Sequence, residues 1–333
     1  MTPAELLADA IARGVFPGAQ LLVVDEGRRV LDLAAGTKRL GGAPVTTHTL
    51  FDVASLTKPL VTSLLVLRLV EEGRLGWDAH SRLHGVTVRH LLSHSSGLPA
   101  WLPLYQGAHG RDDIIRRAGL MSLERPPGVA SVYSDLGFIV LGDLVERTAG
   151  ARLDALAAAE IFGPTGTARA RFVDLETADR PDDVAATEGV PDGEVHDENC
   201  FAAGGILGHA GLFATADDVA RIAGALVGAW HSDPGTVFAP DLVRTLFSPV
   251  RIPGSTWRLG WDGPAATGSA AGELWPKSGV GHLGFTGCSI WIDLPRRRLV
   301  VLLTNRVHPT RENNDIRIFR PILHDAVVRE LGG

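Results

Sequence analysis

The chain has 333 residues, a formal net charge of −6 and a pI near 6.0, with 45% hydrophobic and 21% charged residues. That length and apolar content suffice for a large core, in one big domain or two interleaved ones. The acidic balance leaves no electrostatic footprint for nucleic acid or an anionic membrane as partner, and Arg296-Arg297-Arg298, between two strand-like runs, reads as a solvated turn.

Residues 6–11 repeat apolar side chains at helical spacing, and 18–24 alternate into a strand. Asp25-Glu26-Gly27 supplies a turn and 29–34 a return strand, so a hairpin is expected near the N-terminus. The first ten residues lack a basic segment followed by a continuous apolar stretch, and no apolar run reaches 18 residues; a cytoplasmic protein is expected. Helical patterns follow at 57–72, 87–92, 112–117, 136–148 and 216–227, the last opened by Asp217-Asp218 as the helix dipole favours. The acidic stretch 168–198, with Pro181 and Pro191, reads as a connection between subdomains. A second hairpin is expected from 287–292, the turn at Asp293-Leu294-Pro295-Arg296, and 299–305, before a last helix over 311–331. Strands at both ends with helices between predict an α/β (α+β) chain: an antiparallel sheet with flanking helices, built from 1–78 and 200–333, and a mostly helical inserted subdomain over 79–199. Cys200 and Cys288 are the two cysteines, too few for a disulfide framework, and read as buried thiols.

Chemistry concentrates in a few segments. Ser55-Leu56-Thr57-Lys58 sets a serine and a lysine three apart at the head of an apolar helix, and Lys58 is one of three lysines among 32 basic residues. A desolvated lysine can lose its proton and act as a base, which arginine does not do. Helical spacing puts both side chains on one face, where a neutral Lys58 can activate Ser55. The same spacing also suits a serine that caps the helix while its lysine faces water. Tyr133, one of two tyrosines, sits in Ser131-Val132-Tyr133-Ser134-Asp135 before another apolar helix, with Asp135 placed to cap it. Gly279-Val280-Gly281-His282-Leu283-Gly284-Phe285-Thr286-Gly287 is dense in glycine at a strand edge, which lets a ligand approach the backbone.

In this order, Ser-x-x-Lys, Tyr-Ser-Asp and His-Leu-Gly resemble the signatures of the penicillin-recognising serine hydrolases, specifically the class C β-lactamase and esterase branch. The resemblance extends to residues 51–58, to His90-Leu91-Leu92-Ser93-His94-Ser95-Ser96-Gly97-Leu98-Pro99 and to the terminal hairpins. It implies a β-lactamase/transpeptidase-like fold, acylation of Ser55, proton management by Lys58 and Tyr133, and an oxyanion held by the backbone N–H groups of Ser55 and Phe285. Where the family carries Tyr-x-Asn and Lys-Thr-Gly, this chain has Asp135 and His282-Leu283-Gly284. A carboxylate, when ionised, only accepts hydrogen bonds, and a titratable imidazole replaces a fixed charge. Neutral esters or amides therefore fit better than β-lactams, with Asp135, His282 and Gly284 as substrate-binding positions.

The stretch from His196-Asp197-Glu198 through Gly204-Gly205-Ile206-Leu207-Gly208-His209-Ala210-Gly211 resembles a subgroup that includes muropeptide amidases and penicillin-binding-protein-like members. Its glycines are expected to cross under the site. His196, Asp197 and His209 read as scaffolding or substrate contacts rather than metal ligands. The expectation is a serine hydrolase acting on a small ester, amide or peptide, with no cofactor and no metal. The alternatives are a muropeptide amidase or D-amino-acid peptidase and, from another class, a non-catalytic binding protein on the same fold.

Overall fold

In the computed structural model, which describes residues 1–332, helix α1 (Pro3–Ala12) starts on a capping box. The Thr2 hydroxyl accepts from the Glu5 N–H, the Glu5 carboxylate accepts from the Thr2 N–H, and Pro3 presets the first turn. Strands β1 (Gly18–Asp25) and β2 (Arg28–Gly36) form the expected hairpin. After β3 (Phe51–Asp52) and a 3₁₀ turn (Ala54–Leu56), the segment expected as one helix over 57–72 divides into a π-helical turn (Lys58–Thr62) and α2 (Ser63–Glu71). The Ser63 N–H reaches back five residues to the Lys58 carbonyl, and the widened turn inserts where Lys58 must point.

Helices α3 (Val88–Leu92), α4 (Arg111–Ala118), α5 (Asp135–Ala149), α6 (Leu153–Ala157) and α7 (Gly163–Thr165) follow. Next come β4 (Arg171–Phe172), α8 (Glu198–Ala202), β5 (Leu212–Ala214), α9 (Ala216–Trp230) and α10 (Pro240–Leu246). The chain ends in β6 (Val280–Leu283), β7 (Ser289–Asp293), β8 (Arg298–Thr304) and α11 (Ile316–Glu330). The main sheet is antiparallel in the order β2-β1-β8-β7-β6, so strands from both ends of the chain pair at its centre. A smaller sheet, β3-β5-β4, draws one strand from the stretch 168–198 expected as a connection.

Period-two alternation distributes the sheet between two cores. Leu22, Val301 and Leu303 face the helices α2, α5 and α9, while Leu21, Val23, Val300 and Leu302 face α1 and α11. The last helix starts at Ile316 rather than at 311. The Arg306 guanidinium holds the carbonyls of Arg311 and Asn313, which a helix beginning at 311 would use for its own bonds. Cys200 and Cys288 are buried and unbridged.

Candidate active site

Ser55 follows a residue under backbone strain. Ala54 has φ +49°, a region L-residues seldom occupy, and its N–H is held by the Asp52 carboxylate at 2.8 Å. Asp52 also accepts from the His196 N–H at 2.8 Å, and burial pushes its carboxyl up from the usual range. An acid inside the apolar run Phe51-Asp52-Val53 was the available sequence signal for this brace, which motif reading passed over.

Lys58 is fully buried, with its Nζ 2.9 Å from Ser55 Oγ, 2.9 Å from the His209 carbonyl and 2.6 Å from an Asp135 oxygen. The Tyr133 hydroxyl donates to Ser55 Oγ at 2.7 Å. Burial lowers the Lys58 pKa while Asp135 works against it, and burial followed by Asp135 pushes the Tyr133 phenol well up. The lysine and the tyrosine expected to act with Ser55 therefore each lie within hydrogen-bonding reach of its Oγ. Ser55 and Tyr133 line a cavity of about 800 Å³, with Lys58 buried behind them, and its walls include Trp101, Trp257, Leu283, Phe285 and Ile316.

Asp135 does not cap α5. Ser134, in extended conformation, takes that position, with its Oγ accepting from the Gly137 N–H, so the neighbouring carboxylate is left to face Lys58 while still lining the cavity. His282 also lines the cavity, but it supplies no switchable charge. Burial and then the Lys58 ammonium bring its pKa to about 3, so the imidazole is neutral at ordinary pH; its Nδ1 lies 2.9 Å from the Leu283 carbonyl. Gly284 abuts the loop that carries Ser55. A Cβ there would meet the Val53 carbonyl oxygen at 2.5 Å, so only glycine lets the β6 edge approach so closely. Phe285, just beyond, is half exposed at the cavity wall.

The glycine-rich run passes beneath this group. The Gly208 carbonyl accepts from Thr62 at 2.6 Å and Gly208 packs against Gly142 of α5, which brings the neighbouring His209 carbonyl to Lys58. His196, Asp197 and His209 divide into two arrangements. Asp197 caps α8 and accepts from the Cys200 N–H at 2.7 Å, while its same oxygen lies 2.8 Å from His209 Nε2. Burial opposes ionisation of Asp197, but His209 and the cap outweigh it and hold the pKa at about 2. His196 turns instead to Glu188 and Arg311 and stacks on Phe285 with ring centroids 5.7 Å apart. Among the described residues no group of His, Cys, Asp or Glu gathers to hold a metal ion.

Several neighbours were not singled out by sequence. The His94 ring lies 4.7 Å from that of Tyr133 and 4.2 Å from that of Trp257, and its Nδ1 accepts from the Ser134 N–H at 3.0 Å. Burial keeps this imidazole neutral, its pKa well below the ordinary value. Arg306, Arg311, Arg317 and Arg320 approach the cavity beside Phe285 from the segment after β8. Their scatter through a loop and a helix gives no motif.

A protein-family model described as Beta-lactamase matches residues 4–321. A Bacillus subtilis N-acetylmuramyl-L-alanine amidase is 29% identical, over 91% of this chain and 80% of its own. An Escherichia coli K12 protein provisionally named a D-alanyl-D-alanine carboxypeptidase is 30% identical, over 88% of this chain and 79% of its own. Among solved structures, EstCE1, a hydrolase with promiscuous acyltransferase activity, superposes with a TM-score of 0.79 at 22% identity, covering 98% of this chain and 97% of that one. A class C β-lactamase mutant superposes with a TM-score of 0.76 at 17% identity, covering 98% and 96%. These likenesses share the β-lactamase/transpeptidase fold with this chain. No helix among the described residues is long and apolar enough to cross a membrane.

Proposed function

The chain belongs to the β-lactamase family of serine hydrolases, and from that premise we propose that Ser55 is its nucleophile, cleaving a small ester or amide through an acyl-enzyme. The observation that carries this reading is the approach of Lys58 Nζ and Tyr133 Oη to Ser55 Oγ, at 2.9 and 2.7 Å, on the wall of an open cavity. Neutral Lys58 takes the serine proton as Oγ bonds to the substrate's carbonyl carbon. The developing oxyanion rests on the Ser55 and Phe285 N–H groups. The bond to the leaving group then breaks as the proton passes to it through Lys58 and Tyr133, and water repeats the sequence to release the acid. Tyr133, its pKa pushed up, stays a phenol and serves as a donor rather than as the base. Asp135 tunes Lys58, while His282 and Gly284 shape the cavity wall. Asp197 and His209 brace the segment under Lys58, and His196 supports Phe285. The same reading places the site between a sheet unit, residues 1–78 and 200–333, and a helical unit, 79–199.

Ser55→Ala should abolish ester hydrolysis and labelling by a fluorophosphonate probe without shifting the urea unfolding midpoint. Hydrolysis retained above about 5% of wild type would remove Ser55 as nucleophile. A second reading, a peptide amide that carries a carboxylate, is favoured by Arg317, exposed on the cavity wall with no ion pair among the described residues, and by the names of the two relatives. Relative kcat/KM on aryl esters, D-alanyl peptides and muropeptides separates the readings.

A further inference from the structure

The turn after β6 has every backbone acceptor accounted for. The Gly284 carbonyl accepts from Arg320 Nη2 at 2.9 Å and from the Gly287 N–H at 3.1 Å. The Phe285 carbonyl accepts from Arg306 Nε at 2.8 Å, and that of Thr286 accepts from the Thr304 hydroxyl at 3.0 Å and the Arg306 N–H at 3.1 Å. The Gly287 carbonyl accepts from Arg320 Nε at 3.1 Å, and that of Cys288 from Arg320 Nη2 at 2.8 Å and the Gly284 N–H at 2.7 Å. The Phe285 N–H, by contrast, donates to no group among the described residues. Buried carbonyls are paired as a rule, and here Gly284, Thr286, Gly287 and Cys288 are buried; what sets this turn apart is that buried guanidinium groups supply several of the partners.

Arg320 and Arg306 are 6% and 5% exposed, and neither makes an ion pair among the described residues. Burying an unpaired guanidinium is costly, and carbonyl acceptors offset only part of that cost. Burial lowers the Arg320 pKa to about 10, which leaves it charged at neutral pH. The position of these charges gives the arrangement its chemical meaning. The Gly284 carbonyl and the Phe285 N–H belong to one planar peptide unit and point in opposite directions. A cation fixed on the oxygen holds the plane so that the N–H faces away from it, and it draws electron density from the amide, making that N–H a stronger donor.

We propose that Arg320, seconded by Arg306, is a positioning residue of the oxyanion hole: its guanidinium locks and polarises the Gly284–Phe285 peptide so that the Phe285 N–H is a preorganised donor to the tetrahedral oxyanion. This rests on the Ser55 reading above. The benefit is specific to the transition state, because the ground-state carbonyl carries little of the charge that the donor is set to receive. Loss of one oxyanion donor costs roughly 10²–10³ in kcat, so slackening the peptide behind it should cost about 10- to 100-fold.

The test uses the full chain with Arg320→Met, Arg320→Lys and Arg306→Lys. Hydrolysis of an aryl ester is measured beside inhibition by an arylboronic acid, whose adduct with a serine is a tetrahedral anion. The expected result is a kcat lowered about 10- to 100-fold in Arg320→Met with KM little changed, boronate affinity weakened in the same proportion, and partial rescue in Arg320→Lys. If Arg320→Met does not fold, Arg320→Lys and Arg306→Lys carry the same comparison, with smaller losses that must still run parallel in kcat and boronate affinity. Variants that melt earlier yet turn over and bind boronate as wild type does would make these arginines structural staples only and overturn the proposal. A wild-type protein that neither hydrolyses esters nor binds boronate would overturn the Ser55 reading, and this one with it.

Discussion

At the Lys58 amine two forces oppose each other: burial, which favours the neutral form, and the Asp135 carboxylate 2.6 Å away, which favours the ammonium. Asp135→Asn keeps the size of the side chain and removes its charge. The ammonium then loses its strongest partner while its burial is unchanged, so the Lys58 pKa falls further. In the mechanism proposed above the neutral amine is the base, so the rising limb of kcat/KM against pH for an aryl ester should move to lower pH in Asp135→Asn. A limb that stays in place, or moves to higher pH, would show that Lys58 does not set it. His282 cannot confuse this measurement, because a pKa near 3 keeps it neutral throughout the range. The position of Asp135 in the motif was visible in the sequence, but its task was not: whether a carboxylate faces substrate or a buried lysine depends on which residue caps α5, and Ser134 and Asp135 are both good capping types.

Helix α8 is five residues long and depends on its ends. Asp197 serves both as its cap and as the partner of His209, whose carbonyl in turn holds Lys58. Asp197→Ala should cost about 2–4 kcal/mol in urea unfolding at neutral pH, from the lost cap and the buried partner left unsatisfied. The pH dependence follows from the folded pKa of about 2, below the unfolded value of about 3.9. Stability from this ionisation is complete above the unfolded pKa and is lost as pH falls through the folded one. The gap between wild type and Asp197→Ala should therefore narrow between pH 5 and pH 2; an equal gap at both would mean the charge contributes nothing. Elements with strong periodicity, such as β1, β8, α5 and α9, were legible from alternation or helical spacing. The π turn at Lys58–Thr62 and the delayed start of α11 were not. The first goes with a bond to a distant segment, Lys58 to the His209 carbonyl, and the second with side-chain bonds from Arg306 to the Arg311 and Asn313 carbonyls; apolar spacing carries no record of either.

Across the whole molecule, the two ends of the chain close one core. Helices α1 and α11 cover the same face of the main sheet, and Phe16 meets Phe319 edge-on with ring centroids 5.2 Å apart, both rings buried. Arg320 is the residue after Phe319, so the packing that anchors α11 also sets the cation behind the Phe285 turn. The antiparallel sheet was readable from two hairpins, but their central pairing of β1 with β8 joins residues as far apart as Ala19 and Thr304 and becomes visible only in the folded chain. Phe16→Ala and Phe319→Ala should each cost about 3–5 kcal/mol in urea unfolding, as large core truncations do. Because the second truncation removes a contact the first has already broken, the double variant should cost less than the sum by about 0.5–1.5 kcal/mol, the range for an aromatic pair. Strict additivity would mean that the N-terminal segment and α11 stabilise the sheet independently. In that case loss of α1 would leave the α11 arginines in register, and the chain ends would not act as one unit.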